Sequence, residues 1–87
     1  MEVIVLNTKN IPLIGTILYK IREGHNISQV TLAERMQKDS SQLSQMEHSH
    51  KIPNLITLVE YLEGVGNGWQ LSIVRVEPGE KIGGAKD

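Results

Sequence analysis

The 87-residue chain has no cysteine, no long apolar run and no strong excess of charge of either sign. Without cysteine it forms no disulfide framework, no Cys-ligated zinc site and no thiol-based active site, and the composition fits a reducing compartment. No apolar run reaches the ~18 residues of a membrane span, and the first residues, MEVIVLNTKN, lack the basic start and cleavage site of a signal peptide. We therefore expect a cytoplasmic protein without a membrane segment.

The charges are few and unevenly placed, with a formal net charge of −1. Residues 1–52 carry six Lys/Arg and five Asp/Glu, whereas residues 53–87 carry three and five. Neither half is strongly basic, so binding to nucleic acid would have to depend on a local surface. The length and the 39% apolar content predict one domain over residues 1–76 and a flexible tail over 77–87, which has almost nothing to bury.

Apolar spacing and capping residues predict a series of short helices. Ser28 can cap a helix that runs to about Met36, and Asp39 can cap another from Ser40 to about His48, with Gln42 completing a capping box. Asn54 can cap a last helix, which Gly64, Gly66 and Gly68 end. The outer two helices show apolar residues at i, i+3, i+4 and i+7: Ile14, Ile17, Leu18 and Ile21 in the first, and Leu55, Leu58, Val59 and Leu62 in the last.

Both ends of the chain predict a short strand. MEVIVL is rich in β-branched residues, and Trp69, Leu71 and Ile73 alternate with polar residues after a glycine-rich turn. A lone strand is marginally stable until it pairs with another. We therefore expect the C-terminal strand to pair with the same strand of a second chain or with MEVIVL, at a homodimer interface that includes Trp69, Leu71 and Ile73.

The segment from Ser40 to His48 combines an apolar side with an uncharged polar side. Leu43 and Met46 point inward by helical spacing, which leaves serine, glutamine and histidine side chains on the opposite face. A glutamine can contact N6 and N7 of adenine together, so such a face suits base edges in a major groove. Ser and Gln are also ordinary surface residues, and composition alone leaves the two interpretations about even. The outward residues are Ser40, Ser41, Ser44, Gln45 and His48.

The order of these residues resembles the Xre family of helix-turn-helix regulators, which have the phage-repressor-like fold, over roughly residues 11–66. The matching run is SQVTLAERM, a turn, DSSQLSQMEHS and KIPNLITLVEYLEGVG. The family pattern is met at Ser28, Gln29, Leu32, Ala33, Glu47, Pro53, Leu55 and Leu58.

The resemblance implies a mostly α-helical bundle of four to five short helices, usually dimeric, whose third helix enters the major groove of an operator in double-stranded DNA. It implies that Ser40, Ser41, Ser44 and Gln45 read bases. It implies phosphate contacts for Gln29, Lys38, His50, Lys51 and Asn54.

The chain departs from the family pattern at three points. Gln37 and Ser49 stand where the family usually has glycine, so we expect positive φ at residues other than glycine. The recognition face has no arginine, the residue that makes the commonest contact to guanine. We therefore expect DNA binding to depend on the pairing of two copies.

The short length, the glycine-rich turn into one C-terminal strand and the polar tail are similar to antitoxins of the HipB type. This similarity implies an autorepressing antitoxin with a cognate toxin partner. The alternatives are a stand-alone phage or restriction-modification regulator, and a protein-interaction module that holds a partner without reading DNA. We expect no enzyme activity, metal site or cofactor, because no serine has an identifiable base and the histidines lie apart without cysteine or a paired carboxylate nearby.

Overall fold

The computed structural model describes residues 1–49 and 51–80. Within these residues a 3-10 turn (Ile11–Leu13) is followed by four helices: α1 (Ile14–Gly24), α2 (Gln29–Met36), α3 (Ser40–His48) and α4 (Leu55–Val65). The prediction of a mostly α-helical bundle with four to five short helices is confirmed. None of the helices described is both long and apolar enough to span a bilayer.

The helix starts follow the predicted capping residues. The Ser28 hydroxyl accepts a hydrogen bond from the Thr31 N–H at 3.0 Å, and Asn54 Oδ1 accepts one from the Thr57 N–H at 2.8 Å. At α3 the Asp39 N–H donates to Gln42 Oε1 at 2.9 Å, which is the returning contact of a capping box. These side chains satisfy backbone groups that have no partner within their own helix, and so they fix where each helix begins.

The core of the described residues lies between the four helices: α3 packs against α1 and α2, α4 packs against α2 and α1, and every helix contributes a buried apolar side chain. The first helix buries most of its predicted stripe, but the prediction for α4 is wrong at one end. Leu55 is 66% exposed because it is the first residue of α4 and lies beyond the edge of the core. The side chains that α4 does bury are Leu58, Tyr61, Leu62 and Val65.

The predicted terminal strands do not form in the single chain. Residues 1–6 and 69–77 carry no regular secondary structure, and the part of the chain that is described contains no β-strand. Instead of pairing with each other, the two segments both border an apolar groove on α1 and α4. Their backbone groups therefore lack the strand partner that a ladder requires.

The predicted tail lies only partly within the described residues. Pro78 and Gly79 form a turn in which the Glu80 N–H donates to the Glu77 carbonyl oxygen at 3.0 Å. The remainder of the tail, residues 81–87, lies outside the described residues.

The two positions that lack the family's usual glycine behave differently. Gln37, directly after α2, has φ 56° and ψ 44°. This left-handed backbone conformation is unfavourable for a residue with a Cβ atom. Ser49, after α3, has φ −86° and ψ 153°, so the expectation of positive φ there is wrong. The chain leaves α3 in an extended conformation, which any residue adopts.

Gln37→Gly is expected to stabilise the protein by about 0.5–1 kcal/mol, because glycine adopts the left-handed conformation without a Cβ penalty. The matched control is Gln45→Gly, in which the same substitution falls inside α3 and should destabilise by about 0.5–1 kcal/mol. Chemical denaturation measures both free energies of unfolding. A change of the same sign in both variants would contradict the assignment of strain to Gln37.

Candidate nucleic-acid interface

The α2-turn-α3 unit presents one polar face of α3 to solvent. Leu43 and Glu47 are the residues that α3 buries, and they fix the opposite face outward. Ser41, Gln45 and His48 are exposed on that face. Ser40 and Ser44 are half-buried beside them, so the four predicted base readers lie on one helix but not at equal depth.

The predicted phosphate contacts are spread around this unit. Gln29 is the first residue of α2 and is half-buried, and Lys38 is half-buried in the turn before α3. Lys51 and Asn54 are exposed in the connection from α3 to α4, where Asn54 also caps α4. His50 lies outside the described residues.

A buried carboxylate joins α3 to every other helix of the bundle. Glu47 Oε2 accepts a hydrogen bond from Arg22 Nε of α1 at 2.7 Å, and Glu47 Oε1 accepts one from Arg22 Nη2 at 2.9 Å. Gln29 Nε2 of α2 donates to Oε1 at 2.9 Å, and the Tyr61 hydroxyl of α4 donates to Oε2 at 2.5 Å. We call these four residues the Glu47 cluster.

The buried polar atoms of the cluster, which have lost their contacts with water, have partners inside the protein. Arg22 Nη1 donates to the Ile27 carbonyl oxygen at 2.7 Å, and the Tyr61 hydroxyl lies 3.1 Å from the Leu18 carbonyl oxygen. No buried side-chain nitrogen or oxygen in the described part of the chain lacks a partner. A buried ion pair with all its hydrogen bonds made favours one arrangement of the helices over others.

The protonation states follow from this geometry. Burial alone would raise the pKa of Glu47, but the hydrogen bonds from Arg22, Tyr61 and Gln29, together with the charge of Arg22, lower the pKa below its ordinary 4.5. The hydrogen bond with Glu47 raises the pKa of Arg22 despite its burial. Burial first, and then the bond to Glu47, raise the pKa of Tyr61. Glu47 is therefore charged at neutral pH, and Tyr61 is the neutral donor.

A glycine lets α1 and α3 approach closely enough to form this cluster. A Cβ at Gly15 would lie 2.6 Å from the Met46 carbonyl oxygen and 2.8 Å from that of Glu47. Both are backbone atoms of α3, so they could move only if the helix moved. Gly15 therefore allows the close approach of α1 to α3.

The sequence reasoning identified Glu47 only as part of the family pattern, and it missed three residues of this region. Arg22 and Tyr61 complete the buried cluster, and Tyr19 contacts His48 at the surface with ring centroids 6.0 Å apart. A signal for the first two was present, since Arg22 follows Leu18 by four positions and Tyr61 follows Leu58 by three. Each therefore falls on the apolar side of its helix.

The predicted dimer residues lie away from this face, at the start of the C-terminal segment. Trp69 is half-buried against the core of its own chain, and its indole N–H donates to His25 Nε2 at 2.8 Å. Leu71 and Ile73 are exposed, and Ile73 is fully so. Within residues 1–49 and 51–80, no group of three or more His, Cys, Asp and Glu side chains is gathered as a metal site would require.

Comparison with known proteins gives one finding. A family model described as helix-turn-helix matches residues 18–66, which include most of α1 and all of α2, α3 and α4. Neither the curated proteins nor the solved structures gave a match to the chain.

Glu47→Gln is expected to lower the free energy of unfolding by about 3–5 kcal/mol at neutral pH, because it leaves the buried Arg22 charge without its partner. The pKa of Glu47 in the folded state is below its ordinary value of 4.5. The stability that the Glu47 charge contributes is therefore fully present above pH 4.5 and is lost as the pH falls through the folded-state pKa. The difference between variant and wild type should therefore narrow in acid.

Urea denaturation at about pH 7 and about pH 3 measures this difference. Glu34→Gln is the control, because Glu34 is exposed on α2 and makes no ion pair with any residue described. It should change stability little at either pH. A deficit of Glu47→Gln that is equally large at both pH values would contradict the role assigned to the Glu47 charge.

Proposed function

Because this chain belongs to the Xre-like family of helix-turn-helix proteins, a family of DNA-binding regulators, we propose that it is a sequence-specific transcriptional repressor that binds its operator as a homodimer. The observation that carries the proposal is the polar face of α3, held outward by the burial of Leu43 and Glu47. In this proposal α3 enters the major groove and residues 1–76 act as one domain.

The base-reading roles rest on the exposure and chemistry of that face. Gln45 is exposed and uncharged, and its amide can donate to and accept from adenine together. Ser41 lies four positions earlier on the same side of the helix and is also exposed. Ser40 and Ser44 are half-buried and have short side chains, so in this proposal they contact only bases at the edge of the same site.

The backbone contacts are assigned to the residues around α3. Gln29 stands at the N-terminus of α2, where backbone N–H groups and the helix dipole favour an anion. Its bond to Glu47 uses one of two amide N–H groups and leaves the second for a phosphate oxygen. Lys38, His50, Lys51 and Asn54 are the other phosphate contacts in this proposal.

The dimer is assigned to the terminal segments. Both segments border the groove on α1 and α4, and apolar side chains on both remain exposed, among them Val5, Ile73 and Val74. Pairing between two chains would satisfy the free backbone groups and cover these side chains. Trp69 fixes the C-terminal segment to its own chain, because its ring packs on the core and its indole N–H donates to His25. In this proposal it supports the interface mainly by holding the segment in place.

The more specific proposal is an autorepressing antitoxin of a toxin-antitoxin pair, supported by the similarity of its architecture to HipB-type antitoxins. The competing functions are a stand-alone phage or restriction-modification regulator and a protein-interaction module that does not read DNA. Co-purification from the native host separates them. A stoichiometric partner protein supports the antitoxin, bound DNA without such a protein supports the stand-alone regulator, and a partner without any DNA affinity supports the interaction module.

Gln45→Ala is expected to weaken binding to the preferred sequence by about 1–3 kcal/mol and to relax the preference at one base position, because it removes a contact to a base edge. Gln29→Ala should instead weaken binding to all sequences alike, because a phosphate carries no base information. Fluorescence anisotropy with duplexes that differ at single positions measures both. Equal loss on every duplex for Gln45→Ala would refute its base-reading role.

Ile73→Asp is expected to give a folded monomer that binds the preferred duplex hardly better than random DNA, because a buried aspartate opposes strand pairing and one half-site offers few contacts. Sedimentation measures the mass, and circular dichroism the helix content. The control is Ile56→Asp, because Ile56 is 73% exposed on α4 and lies outside the groove. Loss of the dimer only in this second variant would place the interface on the helices.

A further inference from the structure

Tyr19 occupies the junction of the two helix ends that face DNA in the proposed function. It lies on α1 and is 37% exposed. It borders a shallow surface pocket together with Ser28, Gln29 and Val30 at the start of α2. Its ring also packs against the ring of His48 at the end of α3, with an angle of 56° between the two planes.

The ring of Tyr19 is held from two sides. The guanidinium of Arg22 lies over it, with Cζ 5.4 Å from the ring centroid, and His48 contacts it at 6.0 Å. Arg22 is itself fixed in the Glu47 cluster, and His48 Nδ1 is 2.9 Å from the Ser44 carbonyl oxygen. The position of the Tyr19 side chain is thus set before any ligand binds.

The hydroxyl of Tyr19 differs from that of the other tyrosine in the chain. The Tyr61 hydroxyl donates its one proton to Glu47 inside the protein and lies 3.1 Å from the Leu18 carbonyl oxygen. Tyr19 makes no side-chain hydrogen bond with any residue that the structure describes. A positioned, solvent-accessible phenol is a neutral donor, and phosphate oxygens in DNA are strong acceptors.

The course of the DNA strand follows from the proposed docking. Ser41, Gln45 and His48 lie on one side of α3 at spacings of four and three residues. In helix-turn-helix complexes the N-terminal part of the recognition helix contacts bases, so the end at His48 runs out of the groove toward the backbone. Gln29, which we assign to a phosphate, is tied to this end of α3 through Glu47. A strand that passes Gln29 therefore passes Tyr19.

From this geometry we propose that Tyr19 is a further DNA contact, whose hydroxyl donates a hydrogen bond to a backbone phosphate beside the one held by Gln29, with His48 positioning the ring. The inference rests on the proposed function. The carboxylate of Glu23 borders the same pocket and opposes a purely electrostatic attraction of phosphate. Tyr19 thus acts as a hydrogen-bond donor and not as a charge.

The test compares full-length wild type with Tyr19→Phe, which removes the hydroxyl and keeps the ring between Arg22 and His48. The probe is a duplex selected by the wild-type protein from a random pool, together with copies that carry one uncharged methylphosphonate at successive positions. Tyr19→Phe should lose about tenfold in affinity on every sequence. Base preference and the slope of log affinity against log salt should stay unchanged, because no cation is removed.

The modified duplexes locate the contact. One methylphosphonate position should weaken the wild type strongly and Tyr19→Phe only slightly, whereas a position next to it should weaken both proteins. Thr8→Ala, which removes another exposed hydroxyl, is the control and should bind like wild type. The assignment to Tyr19 would be overturned if Tyr19→Phe bound DNA as tightly as wild type. It would also be overturned if each methylphosphonate weakened the two proteins by the same factor.

The experiment separates failure of this inference from failure of the proposed function. If the wild type selects a duplex and Tyr19→Phe binds it equally well, only the role of Tyr19 is refuted. If the wild type selects no sequence and binds no duplex, both proposals are refuted together.

Discussion

The arrangement of the helices depends on one buried carboxylate. Glu47 of α3 is hydrogen-bonded by one residue from each of the other three helices, namely Arg22, Gln29 and Tyr61. An unpaired charge in this position would cost several kcal/mol, so the cluster tolerates few alternative packings. The ion pair adds little net stability over an apolar core of the same shape. Its effect is to make other orientations of α3 unfavourable.

This constraint matters because α3 buries few side chains of its own. The other three helices bury between three and five residues each, whereas α3 buries only Leu43 and Glu47. A helix that leaves most of its surface unburied cannot also present a broad apolar stripe to the core. Directional hydrogen bonds to Glu47, and the close approach over Gly15, supply the orientation that apolar burial does not.

The sequence predicted what is determined locally. Ser28 and Asp39 gave the starts of α2 and α3, because a cap acts on backbone groups two or three residues away. It did not predict the partners of Glu47, since Arg22 and Tyr61 lie 25 and 14 positions away in sequence, and tertiary packing brings them together. Leu55 was misplaced for a similar reason: spacing gives the face of a helix, but not where along its length the core ends. The terminal strands could not be decided from one chain, because a strand forms only with its partner.

The same cluster links the fold to the way this surface would recognise DNA. No arginine lies on the exposed face of α3, so base recognition from that face would depend on uncharged donors and acceptors, whose hydrogen bonds weaken steeply as distance and angle depart from ideal. Such a face discriminates between bases only if its orientation is fixed to within a fraction of an ångström. The Glu47 cluster fixes α3 relative to Gln29 at the start of α2 and, through Arg22, relative to Tyr19 on α1. Backbone contacts made from those two residues would therefore set the register in which Gln45 meets a base.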